Sequence, residues 1–378
     1  MMSRLLFSLL FSSFSIAIMA QPQQRLLGGD ISMLPVYEGN GTVYRNFDGQ
    51  TIQLLPWLKR CGWNAQRVRL FVHPEEAKQQ HKDEGVCQDL KMVTALGRQI
   101  KKQGMQLMLD FHYSDTWADP GKQLIPRAWG DKNTPAQVLA DSVEAHTRHA
   151  LTTMVATGAT PDLIQVGNEI TNGMLWPVGK VNAMQDNRWQ QLALMLRAGV
   201  KACREVCPEA KIIIHTEKAG DCDLTVAYYR QLARYGVDYD IIGLSYYPMW
   251  HKSIPNLGNT LDVLAGTFPD KPVMIVETAA YYSHDNDRWI KDPFKHGEIF
   301  PISPVGQEEF TKQLVRELNR HPNVTGLFWW FPEENESGRQ VINSWINRGL
   351  FDNRTGKALP AIKALQSFMT PNNEIFYR

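Results

Sequence analysis

Two glutamates stand where apolar segments of the chain end. The segment "IQVGNEITNGMLWP" (164–177) begins as an apolar run and reaches Asn168 and Glu169 where that run stops. The segment "PVMIVETA" (272–279) carries Glu277 at the end of its apolar run. Two carboxyl groups that face each other in different environments can act as one acid and one base or nucleophile. The sequence therefore indicates such chemistry, provided that the fold brings positions 169 and 277 together.

Polar and aromatic side chains also mark the ends of the other apolar segments. Trp and Tyr rings can stack on the C–H faces of a sugar, while Asn, His and Asp can bind its hydroxyl rim. A carboxylate pair in an aromatic cleft suggests glycosidic bond cleavage, with retention at a carboxyl separation of ~5–5.5 Å and inversion at ~6.5–9.5 Å. We predict that substrate contacts Asp30, Arg69, His112, Asp115, Trp117, Asn168, Trp176, His215, Tyr246, Trp250 and Trp330.

Each of these residues has a structural alternative. A single Glu that ends a strand is more often a solvated loop residue or part of the first turn of a helix. Arg69 could pair with any buried carboxylate. His112 and His215 could be core histidines, or could bind a metal together with Asp110 or Asp115. The chain lacks the HExxH and HxH spacings, so a zinc site is not expected.

Apolar runs of strand length alternate with longer amphipathic segments along the chain. The predicted strands span 26–31, 65–72, 105–111, 163–167, 211–215, 241–245, 272–276 and 324–329. The predicted helices span 53–61, 90–102, 136–157, 189–206, 224–235, 261–267, 306–319 and 361–368. Repeated strand–helix pairs with continuous apolar strands predict an α/β fold, a single-domain (β/α)8 TIM barrel. An open doubly wound sheet is disfavoured, because no glycine-rich phosphate loop follows the first strand.

In such a barrel, catalytic groups gather at the carboxyl ends of the strands. The fourth and seventh strands, which lead to Glu169 and Glu277, lie on opposite sides of the ring, so two long side chains can meet across its mouth. Arg69 on the second strand is expected to hold one of them ionised. Burial and like-charge repulsion would keep the other protonated near neutral pH. A long loop, 283–304, follows the seventh strand, and loops of that length are usually functional or mobile.

The composition and the first residues bear on partners and location. The chain has 378 residues, with 40 Lys and Arg against 39 Asp and Glu, so no nucleic acid partner is expected. Residues 1–20, "MMSRLLFSLLFSSFSIAIMA", combine Arg4, a short apolar run and a final Ala20, which is typical of a secretory signal peptide. We therefore expect residues 21–378 to be an exported barrel, periplasmic or extracellular, without a membrane anchor. The five cysteines predict neither a disulfide scaffold nor a CxxC zinc site.

Several motifs resemble the arabinogalactan endo-β-1,4-galactanases of glycoside hydrolase family 53. In chain order they are "GGDIS", "RVRLFVHP", "LDFHYSDTWADPG", "VGNEITNGMLWPVG", "IGLSYYPMW" and "VMIVETA". The resemblance implies a retaining enzyme that hydrolyses β-1,4-galactan, such as pectic side chains. By this resemblance, Glu169 is the general acid/base and Glu277 the nucleophile.

The resemblance also implies roles for neighbouring residues. Asn168 would bind the sugar 2-hydroxyl, and Trp330 would form the platform beneath the cleaved bond. Arg69 and a tyrosine on the sixth strand, Tyr246, would hold the nucleophile Glu277 ionised. No cofactor is required by this mechanism.

The chain departs from the family pattern in two places. Phe331 stands where the family commonly has an acidic residue after the tryptophan of the eighth strand. The loop after the seventh strand reads "SHDNDRW", in which Asp285 and Asp287 could bind calcium, although bulky residues follow where small or ligating ones are usual. The wider superfamily often has a cis peptide bond after the platform tryptophan, here between Trp330 and Phe331.

Two other functions stay open at this point. One is a related glycosidase that acts on another β-linked glycan, such as mannan. The other is a non-catalytic β-glycan-binding barrel, in which the carboxylates have lost their alignment. A phosphate-binding metabolic barrel is less favoured, because it leaves the signal peptide and the aromatic strand ends unexplained. For an enzyme that acts on a long polymer, a monomer is the expected state.

Overall fold

The structure is a computed structural model that describes residues 24–185, 188–284, 300–337 and 339–370. Within these ranges, eight parallel strands close into a barrel, which confirms the predicted fold. The strands are β1 (Leu26–Asp30), β2 (Ala65–Leu70), β3 (Gln106–Phe111), β4 (Leu163–Val166), β5 (Lys211–Thr216), β6 (Ile241–Ser245), β7 (Val273–Thr278) and β8 (Val324–Trp330). Each strand pairs with its neighbours in chain order, and β1 pairs with β8 to close the ring.

A helix follows each strand on the outside of the barrel. The helices are α1 (Leu54–Arg60), α2 (Leu90–Lys102), α3 (Ala136–Ala156), α4 (Trp189–Val206), α5 (Cys222–Arg234), α6 (Ile254–Thr267), α7 (Pro304–Asn319) and α8 (Ala361–Gln366). Their apolar faces cover outward strand residues such as Leu27, Leu107 and Ile164 in one buried cluster. No helix in the described ranges is both long enough and apolar enough to cross a lipid bilayer.

The sixth helix is longer than predicted. It begins at Ile254 rather than at Leu261, because the Ser253 side chain accepts a hydrogen bond from the Asn256 amide and Pro255 fits the first turn. Shorter elements decorate the loops: helical turns at Leu34–Gly39, Pro74–Glu76, Gln79–Asp83, Arg127–Trp129, Ile170–Asn172 and Ser367–Met369, and hairpins that pair Tyr44–Arg45 with Thr51–Ile52 and Gly173–Met174 with Gly179–Lys180.

The barrel interior has an apolar layer followed by a polar one. All eight strands contribute to one cluster of buried apolar residues: Leu26, Ala65, Met108, Leu163, Ile213, Ile241, Met274, Val276 and Phe328. Because side chains alternate between the two faces of a strand, residues two or four positions further along also point inward. Those positions carry Asp30, Arg67, Arg69, Asp110, Gln165, His215, Ser245 and Trp330. The alternation therefore brings the charged side chains together at the carboxyl end of the ring.

Gly28 is a point of close approach within the apolar layer. A Cβ atom added there would lie 2.3 Å from the carbonyl oxygen of Ala65 and 2.8 Å from Phe328 Cε1. We expect Gly28→Ala to lower the free energy of unfolding by about 1–3 kcal/mol, because the backbones of β1 and β2 must move apart. Chemical denaturation followed by tryptophan fluorescence measures this change.

Gly266→Ala in α6 is the matched control. A Cβ atom at this position meets no atom within 4 Å. The substitution should raise the free energy of unfolding by ~0.4–1 kcal/mol, since alanine restricts the unfolded chain more than glycine does. Equal effects of the two substitutions would show that close packing at Gly28 is not a determinant of stability.

Candidate active site

The polar layer is organised by the guanidinium group of Arg67. Its Nη1 atom lies 2.7 Å from Asp30 Oδ2, and its Nη2 atom lies 2.7 Å from Asp110 Oδ2. The Nη2 atom is also 2.8 Å from Glu277 Oε1 and 2.9 Å from Asn168 Oδ1. Burial lowers the pKa of Arg67, but the charges of Asp110, Glu277 and Asp30 outweigh burial and raise the pKa above its ordinary value. Arg67 is therefore a buried cation that joins the carboxylates of three other strands.

The structure differs from the prediction for Arg69. Its Nη1 atom lies 2.8 Å from Asp30 Oδ1, and its guanidinium is held 4.7 Å from the ring centroid of Trp117 and 4.6 Å from that of Phe331. The contact with the glutamate of β7 is made by Arg67 instead. Both arginines point into the barrel because they are two positions apart on one strand. The motif "RVR" identifies the pair, but the depth of each residue in the barrel decides which one reaches the glutamate.

Glu277 faces two hydrogen-bond donors. It is buried, its Oε1 atom contacts Arg67, and its Oε2 atom accepts a hydrogen bond of 2.9 Å from the Tyr247 hydroxyl. Burial raises the pKa of Glu277 above its ordinary value, while Arg67 and the Tyr247 hydrogen bond oppose this rise. Both oxygens of the carboxyl group are thus held by groups that stabilise its ionised form.

Tyr246 does not contact this carboxyl group. Its ring packs nearly parallel to that of Phe310, and its hydroxyl donates a hydrogen bond of 3.0 Å to the carbonyl of Lys252. Ser245 faces the barrel interior, so the alternation of a strand turns Tyr246 outward and Tyr247 inward. The tyrosine beside the β7 glutamate is therefore Tyr247, and strict alternation along β6 would have identified it.

Glu169 lies in a different environment. It follows β4 in the left-handed conformation, with φ 48° and ψ 53°, and its Oε1 atom accepts a hydrogen bond of 2.7 Å from the Ser245 hydroxyl. Burial and the charges of Glu277 and Glu217 raise the pKa of Glu169 well above its ordinary value, against the effect of Ser245. Within the described residues, no cation pairs with Glu169 as Arg67 does with Glu277. Glu169 therefore keeps its proton to a higher pH than Glu277.

A chain of hydrogen bonds runs behind Glu169. The amide of Glu169 donates to His215 Nδ1 at 3.3 Å, and His215 Nε2 lies 2.8 Å from the Ser245 hydroxyl oxygen. Burial and the charge of Arg67 lower the pKa of His215 well below its ordinary value, so the ring is neutral. With Nδ1 accepting, Nε2 donates to Ser245, whose hydroxyl donates to Glu169. His215 thus lies behind the carboxyl groups and not at the surface that substrate would meet.

Glu217 is a third carboxylate on the same side. Its Oε2 atom accepts a hydrogen bond of 2.6 Å from Thr171 Oγ1, and its Oε1 atom lies 3.2 Å from Lys218 Nζ. Thr171 belongs to the helical turn that begins directly after Glu169, so this hydrogen bond fixes the turn that carries Glu169. Glu217 is not among the predicted site residues, although it lies two positions after His215 and so shares its inward direction.

A cleft of about 540 Å³ opens over these groups. It brings together predicted site residues from five strand ends: His112, Trp117, Asn168, Glu169, Trp250, Glu277 and Trp330. Its wall also contains residues that the sequence reading did not select, among them Glu217, Tyr247, His251, Trp345 and Arg348. Glu169 and Glu277 therefore open into one shared cleft, as the proposed chemistry requires.

The other predicted site residues lie outside the cleft wall; they are Asp30, Arg69, Asp115, Trp176, His215 and Tyr246. Asp115 accepts hydrogen bonds from the amides of His73 and Arg127, at 3.1 and 2.9 Å, and so joins two loops. The Trp176 ring packs against Lys180, whose Nζ atom lies 4.1 Å from the ring centroid. Both residues organise the loops around the cleft.

The backbone after β8 differs from the expectation. The bond between Trp330 and Phe331 is trans, and the cis bond found in the described residues is Trp176–Pro177. Phe331 has a φ of 57°, and its ring packs against Arg69. The left-handed backbone of Phe331 thus makes the turn after the strand.

The calcium prediction falls on residues that the structure does not describe. Asp285 and Asp287 lie outside the described ranges. Among the residues that are described, no group of three or more His, Cys, Asp or Glu side chains could hold a metal ion.

The fold and the cleft together define a class of enzyme. Glycoside hydrolases commonly use two carboxyl groups in different environments, and such a pair lies here in a tryptophan-lined cleft at the carboxyl end of a (β/α)8 barrel. The sequence model of glycosyl hydrolase family 53 matches residues 26–365. The chain therefore belongs to this family.

Relatives and solved structures agree with this assignment. An uncharacterized protein in the bgaB 5′ region of Niallia circulans is 34% identical over 92% of this chain and 95% of its own length. An arabinogalactan endo-β-1,4-galactanase of Cellvibrio japonicus is 32% identical over 89% of each chain. The solved family 53 catalytic domain of Ignisphaera aggregans is 31% identical, with a TM-score of 0.81 over 92% of this chain and 97% of that chain.

Two substitutions should move the pKa of Glu169 in opposite directions. The groups that act on its carboxyl group are Glu277, Glu217 and Asp119, whose charges raise the pKa, and Ser245, whose hydrogen bond lowers it. We expect Glu217→Gln to lower the pKa of Glu169, because a like charge is lost. Ser245→Ala should raise it, because the ionised form loses a donor.

Both shifts can be followed by ¹³C NMR titration of labelled glutamate carboxyl groups. Glu169→Gln identifies the resonance, and thermal unfolding of each variant controls for misfolding. Shifts in the same direction for Glu217→Gln and Ser245→Ala would contradict the assigned contacts.

Proposed function

We propose that this chain is an exported, retaining endo-β-1,4-galactanase that cleaves β-1,4-galactan in arabinogalactan or pectic side chains. Its membership of family 53 and its similarity to the galactanase of Cellvibrio japonicus support this substrate. The observation that carries the mechanism is the contrast between two carboxyl groups in one cleft. Glu277 pairs with Arg67, while Glu169 receives its hydrogen bond from neutral Ser245.

The reaction would proceed by two displacements. Glu277 attacks the anomeric carbon while Glu169 gives its proton to the leaving glycosidic oxygen, so that the bond between this carbon and that oxygen breaks and a glycosyl ester forms on Glu277. Glu169, now ionised, takes a proton from water as the water oxygen attacks the same carbon. This second step frees the sugar, restores both glutamates and leaves the anomeric configuration as it was.

The amide of Asn168 is held beside both glutamates. Its Oδ1 atom accepts a hydrogen bond from Arg67, and its Nδ2 atom donates one of 2.8 Å to the carbonyl of Ala118. One Nδ2 hydrogen remains beyond that bond and would bind the 2-hydroxyl of the sugar under attack. Such a bond strengthens as charge develops in the transition state.

Tryptophan rings would hold the sugar chain. Trp330 lines the cleft with Trp117 at a centroid distance of 6.2 Å, and Trp250 is half exposed at the rim. Their faces match the C–H faces of galactose units. The similarity to the arabinogalactan endo-β-1,4-galactanase of Cellvibrio japonicus supports endo action.

Export, a monomeric state and independence of cofactors belong to the same proposal. Residues 1–20, for which we predict a signal peptide, lie outside the described residues. N-terminal sequencing of the secreted protein tests cleavage after Ala20. Light scattering tests the monomer, and activity after chelation tests whether calcium is needed.

Removing Glu277 should abolish turnover. We expect Glu277→Ala to lower kcat on galactan by roughly 10⁴-fold, because no group remains to attack the anomeric carbon. Galactan binding should persist, since the aromatic rings are unchanged. Reducing-end release measures turnover and affinity electrophoresis measures binding; near-full activity of Glu277→Ala would disprove the assignment.

The effect of removing Glu169 should depend on the leaving group of the substrate. We expect Glu169→Ala to lower kcat on galactan by roughly 10²–10⁴-fold, because the leaving sugar oxygen needs a proton. Formation of the glycosyl ester from aryl glycosides with acidic leaving groups should suffer much less, since these leave without protonation. Equal losses in this step on both substrates would argue against Glu169 as the general acid.

The neighbouring tyrosines provide a matched pair. Tyr247→Phe removes a hydrogen bond that lowers the pKa of Glu277, so this pKa should rise. Because Glu277 must be ionised to attack, the acidic limb of the pH–activity profile should move to higher pH. Tyr246→Phe, whose hydroxyl bonds to Lys252 on the other face of the strand, should leave that limb in place. An equal shift for both variants would contradict the proposed role of Tyr247.

Stereochemistry and substrate range separate this proposal from its rivals. Proton NMR of the first products should show the β-anomer, whereas the α-anomer would indicate inversion. A panel of galactan, mannan and cellulose tests the substrate: release of reducing ends from galactan alone supports the proposal, and release from mannan alone overturns it.

A further inference from the structure

Arg348 lies in a cage of aromatic rings beside the catalytic groups. Its guanidinium carbon is 4.7 Å from the ring centroid of Trp330 and 4.9 Å from that of Trp345. The ring centroids of Tyr281 and Trp250 follow at 5.3 and 5.9 Å. Arg348 is 1% exposed, so this cation is almost completely enclosed.

Part of the hydrogen-bonding capacity of this side chain has no partner among the described residues. The Nε and Nη2 atoms of Arg348 have no hydrogen-bond partner among the described residues. These two nitrogens share one edge of the planar group and present parallel N–H donors. The ring faces stabilise the charge, but unused buried donors remain unfavourable. A ligand with two neighbouring oxygen atoms would satisfy them.

The cage is part of the wall of the catalytic cleft. Arg348, Trp330, Trp345 and Trp250 all line the cavity that contains both catalytic glutamates. Trp250 is 50% exposed and its ring centroid lies 5.9 Å from the Arg348 guanidinium carbon, so the cage has one ring in contact with solvent. An apolar ring face next to a pair of N–H donors matches a sugar unit, which has a C–H face and a hydroxyl rim.

The charge of the cleft indicates which sugars fit. Its acidic lining residues are Glu84, Asp119, Glu169, Glu217 and Glu277, against the basic Lys122, Lys218 and Arg348. Even without Glu169, which keeps its proton, the acidic side chains outnumber the basic ones by four to three, and this excess disfavours a sugar that carries its own carboxylate. The unused donors of Arg348 therefore suit the hydroxyl oxygens of an uncharged sugar.

We propose that Arg348, with Trp250 and Trp345, forms a subsite for an uncharged sugar unit next to the unit that lies over Trp330. The guanidinium donates hydrogen bonds to two neighbouring hydroxyl oxygens of that unit, which makes Arg348 a specificity-determining residue. This inference rests on the proposed galactanase function and adds to it a means of selecting neutral chains.

A series of β-1,4-galacto-oligosaccharides of increasing length tests the subsite. Arg348→Met should lower kcat/KM by roughly 10–100-fold on chains long enough to reach the subsite, because two charge-assisted hydrogen bonds are lost. The shortest cleavable substrate, an aryl β-galactoside, should be affected little. Arg348→Lys keeps the charge without the planar fork, so its kcat/KM on long chains should lie between the values for the wild-type enzyme and Arg348→Met. It gives the same comparison of chain lengths if Arg348→Met does not fold.

Arg320→Met is the control, since Arg320 is an exposed residue paired with Glu317 at the end of α7. A loss that is equal for all chain lengths would show that Arg348 only supports the aromatic rings, and the subsite would be disproved. A wild-type preference for carboxylate-bearing oligosaccharides that Arg348→Met abolishes would also overturn it. If wild-type enzyme cleaves another neutral glycan and not galactan, the proposed function fails, and the same length series of that glycan still tests Arg348.

Discussion

The site depends on one buried ion cluster. The carboxyl groups of Asp30, Asp110 and Glu277 come together inside the barrel around the cation of Arg67, which lies 2.7–2.8 Å from an oxygen of each. Removing one partner of such a buried cluster costs about 3–5 kcal/mol, because a charge is left uncompensated. The cluster also ties together β1, β2, β3 and β7, so one cation contributes both to the geometry of the ring and to the ionised form of Glu277.

The asymmetry between the two glutamates follows from this cluster. Arg67 is already surrounded by carboxylates on one side of the cleft, and Glu169 on the other side meets a serine and further negative charge. One carboxyl group is therefore stabilised as the anion while the other keeps its proton. Neither residue type nor strand position distinguishes them; the difference lies in their neighbours.

The aromatic wall links this chemistry to substrate choice. Trp330 lines the cleft beside the two glutamates and is also part of the aromatic cage around Arg348. A sugar chain that lies along the rings would place one unit over the carboxyl pair and the next beside the guanidinium. Catalysis and recognition of neutral sugars would then be properties of one continuous surface.

The barrel follows from the order of apolar and amphipathic runs along the chain, because this alternation leaves few other ways to bury eight strands. The same order also brought Glu169 and Glu277 to the same end of the ring, since both follow the carboxyl ends of parallel strands. Alternation along β6 separates Tyr247, which contacts Glu277, from Tyr246. The folded ring alone sets the depth of the two arginines, so that Arg67 and not Arg69 reaches Glu277. It also brings Arg348 into its aromatic cage from a loop after β8 that no periodic pattern describes. Such contacts depend on how separate strand ends and loops pack across the mouth of the barrel, which spacing along one segment does not encode.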